Sequence, residues 1–123
     1  MVQGKWFPMG SDISEALSIR QAVFAQGEDA FDPMAQQVVV YRAGKPVGSA
    51  RLYWADGAFR LDRLGVLEEE RNKGYGDLLI RLLLFKALTH SAPVITLDTP
   101  AETRVFFAKY GFQDDGEEAG LRR

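Results

Sequence analysis

The sequence predicts an α/β (α+β) fold, a mixed and mainly antiparallel central sheet flanked by helices that ends in a shortened C-terminal strand region. Three observations lead there. Between residues 37 and 67 three strand-like segments follow one another with only tight turns between them. The apolar run over 77–90 is too long for a strand, and a short apolar strand and a second helix-like segment follow it, an order that implies a crossover. The chain has 123 residues, 46% of them hydrophobic and 26% charged, which suits one buried core and assigns residues 1–123 to a single domain.

Taken in order, residues 5–9 form a short first strand. Ser11 or Asp12 caps a helix, and Glu15 completes a capping pair. Ile13, Leu17, Ile19 or Arg20, and Phe24 give that helix its apolar spacing, and the Gly and Pro of residues 27–33 end it. Residues 37–41 are β-branched and aromatic, and a turn at Ala43, Gly44 and Lys45 leads into a second strand over 47–54. Asp56-Gly57 supplies the next turn and 59–67 the third strand of an antiparallel run. Residues 77–90 make a largely buried helix, broken at Pro93. A short buried strand covers 94–97, and a helix over 102–110 is closed by Gly111. The acidic stretch 113–120 holds one short edge strand at most.

Composition removes several kinds of function. With 15 Lys+Arg against 17 Asp+Glu the net charge is -2, so neither nucleic acid nor an anionic membrane is an expected partner. The absence of cysteine excludes a disulfide scaffold, a thiolate nucleophile and every sulfur-ligated zinc site, and it fits a cytoplasmic location. His90 is the one histidine, which removes two-histidine metal sites, and no metal is expected. The start of the chain has no long apolar core, and Arg81 and Lys86 interrupt the later apolar run, so no signal peptide or membrane span is read.

The segment that carries chemistry is Arg71-Asn72-Lys73-Gly74-Tyr75-Gly76, set between the third strand and the long helix. Two glycines allow a tight turn and close approach of a ligand to the backbone, and the first amides of the following helix lack internal partners. Arg71 and Lys73 add cations beside that positive dipole end, a combination suited to a pyrophosphate. The plainer reading is a turn with basic surface residues. A Gly-Lys-Ser/Thr ending is absent, and so is a first Gly-x-Gly, which removes the nucleotide-hydrolase loop and the dinucleotide fingerprint.

The loop resembles the Arg/Gln-x-x-Gly-x-Gly/Ala motif of the GNAT superfamily, the acetyl-CoA-dependent N-acetyltransferases. Residues 61–67 precede it as that family's strand does, and residues 19–24, 46–52 and 106–112 resemble further family segments in family order. The resemblance implies that Leu64, Gly65 and Val66 pair with the pantetheine arm of acetyl-CoA as a missing strand would. It implies that Arg71, Asn72, Lys73, Gly74, Tyr75 and Gly76 contact the pyrophosphate, mainly through main-chain amides, with Tyr75 open to a packing role. Amides near Val66 are the implied donors to the thioester oxygen.

The acid and base are less directly implied. Many relatives carry a proton-donating Tyr four residues before the Gly of the final Gly-Phe, and here that place is Phe107. Tyr110 is the nearby substitute, and solvent is the other source. Asp98 stands where many relatives have Asn. Period-two alternation puts Arg60, Asp62 and Leu64 on one strand face, making Asp62 the candidate base, with an ion pair to Arg60, Arg63 or Arg51 as the alternative. Glu28, Asp29 and Asp32 either hold a cationic amine or form a solvated acidic loop. Trp6, Phe7, Phe31, Trp54 and Phe59 line an acceptor wall or fill the core. His90, at a helix end, suits the dipole there and has no catalytic partner in sequence.

The function implied is direct acetyl transfer from acetyl-CoA to an amine acceptor, a small molecule or a peptide, and the lack of cysteine agrees with the absence of a covalent enzyme intermediate. The alternative is a catalytically weak or inactive module of the same fold that binds acetyl-CoA or a protein. A nucleotide-binding module is disfavoured because no magnesium-ligand pattern accompanies the loop. The shortened C-terminus leaves an edge that a second copy can cover, so a homodimer is expected.

Overall fold

The computed structural model describes residues 1–114 and 120–123. Its strands are β1 (Val2–Phe7), β2 (Gln36–Arg42), β3 (Lys45–Ala55), β4 (Ala58–Val66), β5 (Ile95–Asp98), β6 (Gln113–Asp114) and β7 (Gly120–Arg122). Its α-helices are α1 (Ser14–Phe24), α2 (Tyr75–Thr89) and α3 (Arg104–Ala108). The strands form one sheet in the order β1-β2-β3-β4-β5-β7-β6, antiparallel except where β4 meets β5. That parallel pair is joined through α2, the crossover expected from the sequence.

Turn chemistry fixes the antiparallel half. Ala43 and Gly44 turn β2 into β3, and Asp56 and Gly57 turn β3 into β4, with φ between +51° and +79° at all four. Paired left-handed residues are what two-residue hairpins need, because their twist matches that of the strands. The two sheet faces then divide by alternation. Val38, Val40, Ala50, Leu52, Leu61 and Leu97 pack with Leu79, Ile80, Leu83 and Ala87 of α2 in the main apolar cluster. On the other face Ser49 Oγ donates to the Ala16 carbonyl of α1 at 3.4 Å.

Several details depart from the sequence reading. The first strand starts at Val2 rather than residue 5, because its whole length pairs with β2, from Val2↔Arg42 to Phe7↔Gln37. As an edge strand it is mostly exposed and gives no alternation to read. The N-cap of α1 is Ile13 rather than Ser11 or Asp12, with no side-chain capping bond; Asp12, one residue earlier, accepts the Ser14 N–H at 2.9 Å, a bond that holds its carboxyl below the usual range. Glu15 does not complete the pair; it accepts the Tyr41 hydroxyl at 2.7 Å. The helix read as largely buried is α2, which buries one face only and leaves Phe85 74% exposed. The C-terminal region holds two short strands where at most one was expected, since β7 pairs with both β5 and β6. The outer edge of β5 is therefore covered by β7, and β6 stands at that end of the sheet. Residues 115–119 of the acidic stretch lie outside the described residues. No helix among the described residues is long and apolar enough to cross a membrane.

Candidate active site

The site begins with two strands that part. β4 pairs with β5 only through Phe59↔Ile95, Arg60↔Thr96 and Leu61↔Leu97, and beyond Leu61 it has no partner on that side. A bulge helps to drive the separation. Ser49 faces Gly65 and Arg51 faces Asp62, so Arg63 and Leu64 together oppose Ala50, and Arg63 takes φ +53°. Bulges sharpen local twist and bend the strand that carries them. The result is a cleft of about 290 Å³ lined by Phe24, Gln26, Arg63, Leu64 and residues 98–100.

The bulge also corrects the alternation drawn from sequence. One inserted residue reverses the faces, so Leu64 and Val66 pack toward the α2 cluster while Asp62 looks to the α1 side. Asp62 and Leu64 do not share a face. Gly65 stands against α1, where an added Cβ would lie 2.8 Å from Val23.

The basic loop follows β4 and leads into α2. Gly74, at φ +89°, occupies the N-cap of α2, no side chain caps that end, and the first helical bond runs from the Leu78 N–H to the Gly74 carbonyl at 3.1 Å. The N–H groups of Tyr75, Gly76 and Asp77 stand ahead of that bond, in the turn where a helix offers its dipole to anions. Arg71 Nε donates to the Val66 carbonyl at 3.0 Å, tying the loop to the cleft strand. Lys73 Nζ donates to Glu70 at 3.1 Å, and Arg42 grips the same carboxylate through two bonds of 3.0 and 2.7 Å. The Arg42 and Lys73 hydrogen bonds pull the Glu70 carboxyl down to about 2. Glu70 is thus the loop's anchor, and Arg71, Asn72, Lys73 and Gly74 remain exposed. The Tyr75 side chain belongs to the core, at 6% exposure, leaving its main chain to the loop.

Above the cleft lies a buried ion network. Arg51 donates to both oxygens of Asp62 at 2.8 and 2.7 Å, to Asp29 at 2.6 Å and to Asp32 at 3.2 Å. Arg20 takes Asp32 through bonds of 2.8 and 3.0 Å and also reaches Gln37 at 3.2 Å. Burial works to raise the Asp32 carboxyl, but the Arg20 hydrogen bonds, the Asp29 N–H and the two guanidinium charges overcome it and hold it well below the usual range. Asp62 is therefore held in the Arg51 ion pair that was weighed against a base role, and it does not line the cleft. Asp32 is buried in the network, Asp29 is paired with Arg51 and Arg63 while staying 30% exposed, and of the three acidic residues Glu28 alone stays outside it.

Sequence reasoning missed the extent of this network. Its signal was an arginine on the apolar stripe of a helix, Arg20, and another between the buried Ala50 and Leu52, Arg51. Guanidinium groups at such positions call for several carboxylates.

The remaining candidates are elsewhere. Tyr110 donates its hydroxyl to Asp77 in the first turn of α2, and burial together with that bond pushes it up to about 12. It lines a separate open hollow with Arg81 and Lys109. Phe107, in the place of the family tyrosine, is 2% exposed in the core. Phe31 stacks on Tyr53 at 4.9 Å and remains 43% exposed, Trp54 is also exposed, and Trp6 and Phe59 pack against the core. His90 caps the end of α2 with its ring 6.1 Å from that of Phe59.

A parallel strand pair that splays beside the uncapped start of the crossover helix is the arrangement of an acyl-CoA N-acyltransferase. The sequence profile of the acetyltransferase (GNAT) domain matches residues 34–114, and the chain belongs to that superfamily of N-acetyltransferases. An uncharacterized N-acetyltransferase of Bacillus subtilis (strain 168), YjcF, is 27% identical over 109 residues, covering 82% of this chain and 78% of the relative. An acyl-CoA N-acyltransferase from Pseudomonas aeruginosa superposes with a TM-score of 0.87 at 20% identity, over 100% of this chain and 99% of the other. A GNAT family acetyltransferase from Elizabethkingia anophelis with acetyl-CoA bound gives 0.80 at 16% identity, over 98% and 96%. These likenesses support the fold of mixed α/β type that the sequence predicts and acyl transfer as its general chemistry.

Proposed function

We propose that this chain moves an acetyl group from acetyl-CoA to an amine acceptor. The observation that carries the reading is the parting of β4 from β5 directly beside the uncapped N-terminus of α2. Leu64, Gly65 and Val66 offer an unpaired strand edge to the amide-bearing arm. The main-chain amides from Arg71 to Gly76 meet the pyrophosphate, assisted by the charges of Arg71 and Lys73. When bound, acetyl-CoA supplies an activated thioester. The amine attacks its carbonyl carbon, the C–N bond forms as the C–S bond breaks, the thiolate takes up a proton and the amine loses one. An amide near Val66 stabilises the carbonyl oxygen as charge develops there.

In this reading Asp62 holds Arg51 and Tyr110 holds Asp77, so solvent carries the protons. The Tyr110→Phe variant is expected to keep at least half of the wild-type kcat with an unshifted pH profile, measured by thiol release. A loss of tenfold or more would restore Tyr110 as the acid.

The binding test is calorimetric. Wild-type protein is expected to bind acetyl-CoA, and the Arg71→Ala, Lys73→Ala double variant to bind about tenfold more weakly, since each exposed ion pair with the pyrophosphate contributes up to about 1 kcal/mol. No detectable binding by folded wild-type protein sinks the proposal, and competition by a nucleotide lacking the pantetheine arm favours a nucleotide module. The second reading, a module that binds without turnover, rests on the burial of Phe107 where relatives carry a hydroxyl. Binding without product on any amine selects it.

A further inference from the structure

The ion network above the cleft is unevenly satisfied, and the imbalance points at the acceptor. Asp62 and Asp32 are closed by short contacts, and so is one oxygen of Asp29, whose other oxygen meets only Arg63 at 3.4 Å. Arg51 alone spends four bonds of 2.6 to 3.2 Å on Asp62, Asp29 and Asp32. Asp32 also accepts from Arg20 and the Asp29 N–H, and Asp29 from the Phe31 N–H at 2.9 Å. Arg63 is what remains. Its contacts are long, 3.4 Å to Asp29 and 3.9 Å to Asp62, and its Nε is buried with no hydrogen-bond partner. A buried donor left unmade calls for an explanation. The bulge supplies part of it, because φ +53° takes Arg63 out of the strand's alternation and puts it on the cleft wall. Across the cleft Asp98 is exposed and makes no side-chain hydrogen bond or ion pair among the described residues. Arg63 Nε itself is buried, but the terminal nitrogens of its guanidinium are held only at 3.4 and 3.9 Å, so the walls of the cleft present one loosely paired cation and one free carboxylate, over an apolar lining of Phe24 and Leu64.

We infer that the acceptor is a small molecule carrying a carboxylate beside its amine, the α-amino acid pattern, with Arg63 binding the carboxylate and Asp98 facing the amino group. This rests on the transferase reading above and narrows it to one acceptor class. A planar guanidinium is matched to a carboxylate through paired N–H donors, and such charge-assisted bonds are among the stronger ones. Asp32 and Asp62 are buried in arginine pairs and Asp29 already stands between Arg51 and Arg63, so Asp98 is the cleft carboxylate left for an amino group.

The test uses full-length protein and acetyl-CoA with the twenty common α-amino acids. The best acceptor is then compared with its carboxamide and with its decarboxylated amine, per neutral amine because loss of the carboxylate shifts the amine's pKa. The expected result is a kcat/KM for the acid at least tenfold above both analogues. In Arg63→Gln that preference collapses toward one, through KM, while acetyl-CoA affinity stays within twofold of wild type. Arg63→Lys, which keeps the charge but not the fork, retains part of the preference, and thermal unfolding of both variants checks that they fold. Equal use of the carboxamide, or equal loss on all three acceptors in Arg63→Gln, overturns the inference. Acetyl-CoA binding with no turnover on any amino acid overturns this inference alone; failure of acetyl-CoA to bind removes the transferase reading beneath it.

Discussion

Replacing Arg51 by Met is expected to lower the free energy of unfolding by about 3–5 kcal/mol, the cost of breaking a buried ion pair by removing one partner. The side chain is 1% exposed and its partners Asp62 and Asp32 are 6% and 2% exposed, so water cannot replace the lost guanidinium without opening the sheet from α1. Chemical denaturation at neutral pH measures the effect. Adding Asp62→Leu to Arg51→Met is expected to recover part of the loss, since the second change removes a stranded charge. A loss under 1 kcal/mol for Arg51→Met alone would show that solvent reaches the network. It would also reopen Asp62 as a base, because a carboxylate that does not need Arg51 is free to take a proton.

The same network sets an acid limit. Asp32 and Asp29 both titrate below the usual carboxylate range in the fold, burial opposing and arginine contacts prevailing. A carboxyl whose folded pKa is depressed binds fewer protons folded than unfolded at low pH. Its contribution is complete above about pH 4, the unfolded value, and is lost as pH falls through the folded one. Thermal midpoints are therefore expected to fall from pH 5 toward pH 2, and to fall less steeply in Asp32→Asn, which begins less stable.

Sequence made most of this architecture legible for identifiable reasons. The hairpins were announced by left-handed Gly and Asp at two-residue turns, and the crossover helix by a run too long for a strand. The basic glycine loop was visible because its glycines and cations stand together in sequence. What sequence hid depends on a single residue of register. The bulge at Arg63 carries no glycine to mark it, yet it reverses the faces beyond Asp62, so strict alternation assigned Asp62 to the wrong neighbour. The ion network was hidden for a different reason: its members come from α1, the loop after it, β2, β3 and β4, and only the packed sheet brings them together. Tyr110 was near the right place in the chain, but a bond to Asp77 turns its hydroxyl to α2.

Gly65 is where fold and function meet most tightly. It lies where β4 has lost β5 but still pairs with Ser49 of β3, and an added Cβ would come 2.8 Å from Val23 Cγ1 and 3.1 Å from the Phe24 ring. Real Cβ atoms do not approach so closely, so Gly65→Ala must push the end of α1 outward. Overpacking of this kind costs about 1–3 kcal/mol. Phe24 lines the cleft, so the same displacement reshapes the cleft wall proposed to receive acetyl-CoA. The expected result is a lower thermal midpoint together with acetyl-CoA binding weakened at least tenfold. The second effect separates this site from ordinary core damage, because a substitution such as Leu83→Ala, on the buried face of α2 and outside the cleft lining, is expected to lower stability with binding retained. Adding Val23→Ala to Gly65→Ala removes the branched side chain that the new methyl strikes, and both stability and binding are expected to return partway to wild type. If Gly65→Ala destabilises the fold while acetyl-CoA binds as before, the separation of β4 from β5 is not where the pantetheine arm lies, and the cleft belongs to the acceptor alone.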